Sequence, residues 1–335
     1  MKKSTVRWPA EWEPHSRCLM TWPHREDVWG DRSLKVVQGD YAAVAKTIAR
    51  FEPLLMVANP GSGKDAKRQC GENVEVVEFP VDQAWMRDNG PIFVFEDKRL
   101  IGLNFRFNGW GAKYPPWEND DALPVPLCKH LNVECRSVDM VMEAGGIITD
   151  GEGTLITTEQ CLLNPNRNPK MSRSDIEAVL RERLGVKKII WLPWGLHDDT
   201  TDGHVACVVY FAAPAKILVQ TAPPDTVDGP RLRENWKILE AATDARGRKF
   251  EMIEMPLLPS LTDPGPIGIH TYLNVYSPNG AVVVPLADVP EDEEALDRLR
   301  KVFPDREVVG VPLTNIAYGG GEVDCITQPM PAVPT

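Results

Sequence analysis

With 335 residues, 43% of them hydrophobic and 25% charged, the chain has the make-up of an ordinary folded protein and the length for a large core. A net charge of −11 with scattered Lys and Arg excludes a general nucleic-acid binder, because phosphate neutralisation needs a basic face. No apolar run approaches the roughly 18 residues of a membrane span. No membrane partner is therefore expected, and the start, Met1-Lys-Lys-Ser-Thr-Val-Arg-Trp8, lacks the apolar core of a signal peptide. The seven cysteines are odd in number and form no Cys-x-x-Cys, which reads as free thiols in a reducing cytoplasm. The six histidines show no zinc spacing, and His15 with its acidic neighbours is only a weak metal candidate.

Five helix-like segments recur, each followed by strand-like text. Ser33 to Phe51 carries Leu34, Val37, Tyr41, Val44, Ala45 and Ile48 on one face, and Leu54 to Ala58 follows as a strand. Gly61-Ser-Gly-Lys64 lacks the full spacing of a phosphate loop and reads as a surface turn. The second helix, around Asp120 to Leu131, is short, with Pro124 and Pro126 restricting its start. The third opens on a capping box, Ser174-Asp-Ile-Glu177, ends before Gly185, and precedes a strand at Lys188 to Leu192. The fourth has Pro230 in its first turn, apolar Leu232, Trp236 and Leu239, and a stop at Gly247; Phe250 to Met255 follows. The fifth, Glu291 to Phe303, opens acidic and closes basic, as the helix dipole prefers, and Glu307 to Val311 follows.

Chemistry-bearing residues fall between these units, at predicted strand ends. They are Trp22, Asp88, Glu143, His204, His270 and Cys325, separated by 66, 55, 61, 66 and 55 residues. A repeat near 60 residues, five times over, predicts an α/β ring around a central site, with the first and last segments sharing one closing unit. The bland alternative is an open α/β domain with evenly spaced elements. No linker requires a second domain, so residues 1–335 are expected to form a single catalytic domain. Gly319-Gly-Gly-Glu-Val-Asp-Cys325-Ile-Thr places a cysteine after a glycine turn, on what reads as a short strand. A nucleophilic cysteine needs a group that favours its thiolate, usually a histidine, and Asp202-Gly-His204 offers one. Trp85-Met-Arg87-Asp88 adds a carboxylate beside a turn. Taken singly, each is as readily a core thiol, a satisfied histidine and a capping aspartate.

Trp8-Pro-Ala-Glu-Trp-Glu-Pro-His15, Thr21-Trp-Pro-His-Arg25, Arg87-Asp-Asn-Gly-Pro91, Phe107-Asn-Gly-Trp-Gly111, Asp150-Gly-Glu-Gly-Thr154, Asp202-Gly-His204 and Gly319-Gly-Gly…Cys325-Ile-Thr occur in an order that resembles the agmatine deiminase and bacterial peptidyl-arginine deiminase family. The resemblance implies a five-bladed α/β propeller, the pentein fold, with its site on the pseudo-fivefold axis, no cofactor and no metal, and assembly into a homo-oligomer in many members. It implies Cys325 as nucleophile on an amidine-type carbon, His204 as general acid and base, and Asp88 as the carboxylate that grips substrate N–H groups. The residue types suit those roles: a thiolate attacks and then leaves, an imidazole exchanges protons near neutral pH, and a carboxylate fixes a planar amidine. Cys325 is expected to be the most reactive of the seven thiols.

The departures from the family pattern are at the substrate. Ala206 stands where a second guanidinium-clamping carboxylate is expected, Glu143-Ala-Gly-Gly-Ile-Ile148 has lost a polar neighbour, and Glu322-Val-Asp324 replaces Asn-Ile-His. Leaving guanidinium donors unpaired costs roughly 1–3 kcal/mol each. The sequence therefore favours a neutral, planar small-molecule substrate such as 2-nitroimidazole, with nitrite as leaving group. An agmatine or peptidyl-arginine deiminase, with Glu322 or Asp324 supplying the missing carboxylate, is the alternative. A non-catalytic small-molecule binding protein of the same fold is a third reading. Glu143, Trp110, Ala206 and Asp324 are the expected substrate-binding positions. Trp85 and Trp117 are further candidates for stacking on a planar compound, against the commoner role of tryptophan in packing.

Overall fold

A computed structural model of the chain describes residues 5–256 and 271–334. One local pattern builds it five times: an antiparallel pair, a helix, then a strand parallel to the inner member of the pair. Ile92–Glu96 and Arg99–Arg106 pair antiparallel, the helix Pro124–His130 crosses over, and Glu134–Val141 returns parallel to Arg99–Arg106. Ile147–Thr149, Thr154–Thr158, the helix Arg173–Leu184 and Lys188–Leu192 repeat the pattern. So do Val209–Ala213, Lys216–Thr221, the helix Asp228–Ala241 and Glu251–Pro256. In the next unit a single bridge from Tyr276 to Val283 stands for the outer strand of Ala281–Leu286, followed by the helix Glu291–Val302 and Glu307–Pro312.

The fifth unit is made from both ends of the chain. Thr327–Pro331 pairs antiparallel with His15–Thr21, which runs parallel to Leu54–Ala58 after the helix Leu34–Ile48; Val74–Glu78 extends the sheet. This is the ring of five α/β units expected from the repeat, and the five-bladed propeller that the family resemblance implies, closed by the terminal segments. Leu54–Ala58 and Thr154–Thr158 are buried along their whole length, as parallel strands covered on both faces must be. The predicted apolar face Val37, Tyr41, Val44, Ala45 and Ile48 is the buried face of its helix.

Three boundaries differ from the sequence reading. The capping box is Ser172 with Asp175, not Ser174 with Glu177; the Glu177 carboxylate instead accepts a hydrogen bond from Trp191 Nε1 at 2.9 Å. The fourth helix ends at Ala241, and Gly247 serves a later turn at φ 84°. Cys325 lies not on a strand but in a short helical turn, Val323–Ile326, and the strand begins two residues beyond it. All four residues of that turn are buried, so the local alternation does not mark a half-exposed strand. Gly61-Ser-Gly-Lys64 is a turn leading into the helix Gly63–Cys70, with Gly63 N donating to Glu78 Oε1, so its amide is already satisfied.

Four comparable turns precede the first strand of a unit: Met86–Asn89, Ala144–Gly146, Val205–Cys207 and Val323–Ile326. They pack on one another around the axis and carry Asp88, Glu143, His204 and Cys325 within or beside them. In the remaining unit His270 falls outside the described residues, and Asn274 stands before the Tyr276 bridge at the corresponding place.

Ring closure is stapled by a buried polar knot. Glu52 accepts hydrogen bonds from His15 Nδ1 (3.1 Å), Tyr276 Oη (2.6 Å) and Asn279 N (2.8 Å), joining the closing sheet to its predecessor. Removing one acceptor leaves three buried donors, so Glu52→Ala should cost about 3 kcal/mol or more of unfolding free energy in urea titrations. A loss below about 1 kcal/mol would mean that closure does not depend on this knot.

Candidate active site

Cys325 and Asp88 open into one cavity, walled by Trp85, Trp110, Tyr114 and Thr200 and roofed by Gly319 and Gly320. The glycine run lets the backbone pass close to the thiol: a Cβ on Gly321 would stand 3.1 Å from Cys325 Sγ and 2.6 Å from Trp85. Cys325 Sγ receives a hydrogen bond from Asn274 Nδ2 at 3.4 Å, and Asn274 Oδ1 in turn accepts from Asp324 N at 2.9 Å. Asn274 was missed in the sequence, where attention fell on His270; its place before the fourth hairpin was the available signal.

Trp110 is delivered by a strained segment. Gly109, Trp110, Gly111 and Ala112 all have positive φ, at 64°, 55°, 86° and 64°. A left-handed turn costs side-chain-bearing residues roughly 1–2 kcal/mol each. Asn108 Oδ1 caps it through Gly111 N at 2.8 Å, and Phe107 meets the indole edge-on at 4.9 Å between centroids. The result points Trp110 Nε1 at Asp88 Oδ2, 2.9 Å away. Gly111 must be glycine because a Cβ would fall 2.3 Å from Asn166. Trp85 also walls the cavity, whereas Trp117 packs against the core beneath Gly109.

No hydrogen bond joins His204 to the Cys325 thiol, and His204 is not among the residues that line the thiol cavity. It lies beside Asp88, Cys161 and Glu143, with Glu143 Oε2 3.6 Å from its Nε2 and its backbone N donating to Asp199 Oδ2. Burial disfavours its charge, but Asp88, Cys161 and Glu143 together outweigh this and hold the imidazole protonated well above its usual range. That charge stabilises the fold fully below the ordinary value near 6.5 and is lost as pH rises through the raised one. Glu143 is not in the thiol cavity. Arg167 Nε donates to its Oε1 at 2.7 Å, and Arg167 also bonds Asp202 Oδ2 (2.7 Å) and Thr201 O (2.9 Å). Burial pushes the Glu143 carboxyl up, yet Arg167 and His204 bring it below its ordinary value. Glu143 is therefore an electrostatic partner of the histidine, and like it does not line the thiol cavity.

Asp88 Oδ1 accepts from Gly145 N at 3.2 Å, and a Cβ on Gly145 would lie 2.5 Å from His204 Nδ1. Burial raises the Asp88 carboxyl, which His204 partly offsets. Burial first, then the negative charges of Asp324 and Asp88, push the Cys325 thiol well above its normal range. Burial and these charges disfavour the Cys325 thiolate in the free protein, and Cys135 is the one cysteine that is not buried. Ala206 and Asp324 line a second cavity together with Ile148, and not the thiol cavity. Asp324 is already paired with Arg87 Nη2 at 2.9 Å. Glu322, the other suggested replacement carboxylate, accepts from Thr271 N at 3.2 Å.

Glu143, Cys161 and His204 place ligand-type atoms within 4.8 Å of one another. The set fits a dication poorly, because the Arg167 guanidinium already holds Glu143 and His204 is kept protonated. His15, the weak candidate from sequence, is engaged with Glu52.

The family model for Porphyromonas-type peptidyl-arginine deiminase matches residues 7–331. The chain belongs to this family. It is 42% identical to an agmatine deiminase of Pseudomonas aeruginosa, over 97% of this chain and 95% of that one, and 39% identical to one of Pseudomonas fluorescens over the same shares. The solved agmatine deiminase of Enterococcus faecalis superposes with a TM-score of 0.92 at 32% identity, covering 99% of this chain and 98% of that one. Family membership makes the chain a deiminase-type hydrolase of carbon–nitrogen bonds. No helix among the described residues is long and apolar enough to cross a membrane.

The thiol's environment is open to measurement without a substrate. Alkylation of Cys325 by iodoacetamide, followed by peptide mass spectrometry, should rise with pH to beyond the ordinary thiol range of about 8.5. Cys135 should react first at neutral pH. Asp88→Asn should move the Cys325 profile toward acid by about one pH unit, because it removes a like charge. An unmoved profile would mean that Asp88 does not govern the thiol.

Proposed function

We propose that the whole chain acts as a single catalytic domain that hydrolyses the C–N bond of a cationic guanidino compound of the agmatine type, through a covalent adduct on Cys325. The observation that carries this reading is electrostatic. The thiol shares a cavity with Asp88 and is held protonated by burial and by Asp324 and Asp88. A guanidinium seated on Asp88 would cancel that charge and bring a positive group against the sulfur, so that the thiol gives up its proton to solvent and the thiolate forms where its target carbon lies. A neutral substrate offers no such release. The flat walls of Trp85 and Trp110 suit a planar cation. The similarity to agmatine deiminases along almost the whole chain points the same way.

In this scheme the Cys325 thiolate attacks the guanidinium carbon. His204, already an imidazolium, donates its proton to the departing amino group, and ammonia leaves. The neutral imidazole then takes a proton from water, whose oxygen adds to the same carbon. Sulfur departs as thiolate, leaving a urea and restoring the imidazolium. Glu143 and Arg167 hold the ring in place throughout, and Asp88 holds the substrate N–H groups.

A second reading has its own observation. Asp88 is the one acid that lines the thiol cavity among the described residues. That favours a planar substrate with fewer donors, such as 2-nitroimidazole. There sulfur attacks C2, nitrite leaves with the bonding electron pair, and water then displaces sulfur to give the imidazolone.

Purified protein incubated with agmatine and, separately, with 2-nitroimidazole should release ammonia from the first and little nitrite from the second. Nitrite without ammonia would reverse the order of the two readings, and neither product would favour a binding protein. Cys325→Ala should abolish turnover of whichever substrate is used, and His204→Asn should slow it by at least about 100-fold. Activity of Cys325→Ala within tenfold of the parent would end the covalent scheme. Prolonged dialysis against a chelator should leave the rate unchanged.

A further inference from the structure

On the axial turns, neighbouring residues face two different cavities. Asp88 and Cys325 open into the thiol cavity; Arg87 and Asp324, one residue before each, line the other. The two cavities share no lining residue, although adjacent residues of the same turns line them. The second is walled by Trp8, Trp12 and Phe211.

Its polar floor is unusual. Asp324 Oδ2, Gln328 Oε1 and His15 Nε2 are buried and have no hydrogen-bond partner among the described residues. The Asp324 side chain is only 9% exposed. Leaving such atoms unsatisfied costs about 1–3 kcal/mol each. The charge is unbalanced as well. One guanidinium, Arg87, serves two carboxylates, Glu11 Oε2 and Asp324 Oδ1, each at 2.9 Å. Glu11 is otherwise satisfied by Ser277 N at 2.9 Å, so the free acceptor capacity lies on Asp324. Ala206 is also on this lining, where its methyl side chain takes up little of the cavity. An apolar enclosure with a few converging acceptors and a net negative charge is the form of a site for a small organic cation.

We propose that this far cavity is a second binding site, for a primary alkyl- or arylammonium ion, with the ammonium donating to Asp324 Oδ2 and Gln328 Oε1 and the apolar body lying against Trp8, Trp12 and Phe211. The site is distinct from the thiol cavity but coupled to it. Asp324 precedes Cys325 in the chain, and its charge is among the groups that hold the thiol protonated. An ammonium on Asp324 would offset that charge and favour the thiolate. Burial, Glu11 and Asp88, against Arg87 and His204, bring the Asp324 carboxyl up to about 7, so the acceptor is poised to gain charge when a cation arrives.

The test uses the full chain with Cys325 first carbamidomethylated, which blocks the thiol cavity. Benzylammonium chloride is titrated by calorimetry, with benzyl alcohol as the neutral counterpart. Benzylammonium should bind at least about tenfold more tightly than the alcohol, and Asp324→Asn should remove that preference. Should Asp324→Asn fail to fold, Ala206→Leu fills the cavity with an apolar plug and should abolish binding. In unmodified protein at fixed pH, benzylammonium should accelerate Cys325 alkylation severalfold, and Ala206→Leu should cancel the acceleration. Equal binding of the cation and the alcohol would overturn the proposal, as water alone would then satisfy the floor. Binding that disappears on carbamidomethylation yet survives Asp324→Asn would also overturn it, by placing the cation in the thiol cavity.

Discussion

The carboxylate of Asp88 ties the axis together. One oxygen accepts from the indole of Trp110 and the other from the backbone of Gly145. The same charge keeps His204 protonated and Cys325 neutral. A buried carboxylate is tolerable only when its acceptors are filled and its charge is matched, and this one is matched by an imidazolium that itself depends on it. The strain of the left-handed turn at Trp110 and the close approach at Gly145 follow from the need to fill those acceptors.

Around that pair lies a chain of fixed charges. Arg167 neutralises Glu143 and Asp202, and Lys113 adds a second cation at Asp202, 2.7 Å away. Its members come from three successive units of the ring, and Cys325 comes from the closing one, so the order of the site depends on closure of the propeller and on the Glu52 knot at its seam. A resting enzyme with a protonated thiol and a protonated imidazole has its acid ready and its nucleophile withheld. Such a state suits a cationic substrate, whose arrival changes the electrostatics that withhold it.

The alternation of the axial turns gives the ring two chemically different faces. Arg87 and Asp324 serve one cavity, Asp88 and Cys325 the other. Residues that look like neighbours in a motif therefore act on different spaces. Asp324 and Ala206, read beside Cys325 and His204 as substrate contacts, accordingly line the other cavity.

The fold was legible in the sequence because it is repeated. Helix faces such as Val37–Tyr41–Val44–Ile48 and buried runs such as Leu54 to Ala58 obey local periodicities, and even spacing of the chemistry-bearing residues carries the ring symmetry. Cys325, His204 and Asp88 were legible because their residue types stand in an ordered family pattern. What the sequence could not determine was direction. Whether Glu143 meets a substrate or a histidine depends on Arg167, which lies 24 residues away in the chain and at 2.7 Å in space. Whether Asp324 replaces a lost carboxylate depends on the turn that sends it to Arg87. The state of the thiol depends on burial and on charges brought from other blades. Period and residue type are local properties of a chain, whereas side-chain direction, desolvation and electrostatic balance arise only when distant segments share one axis.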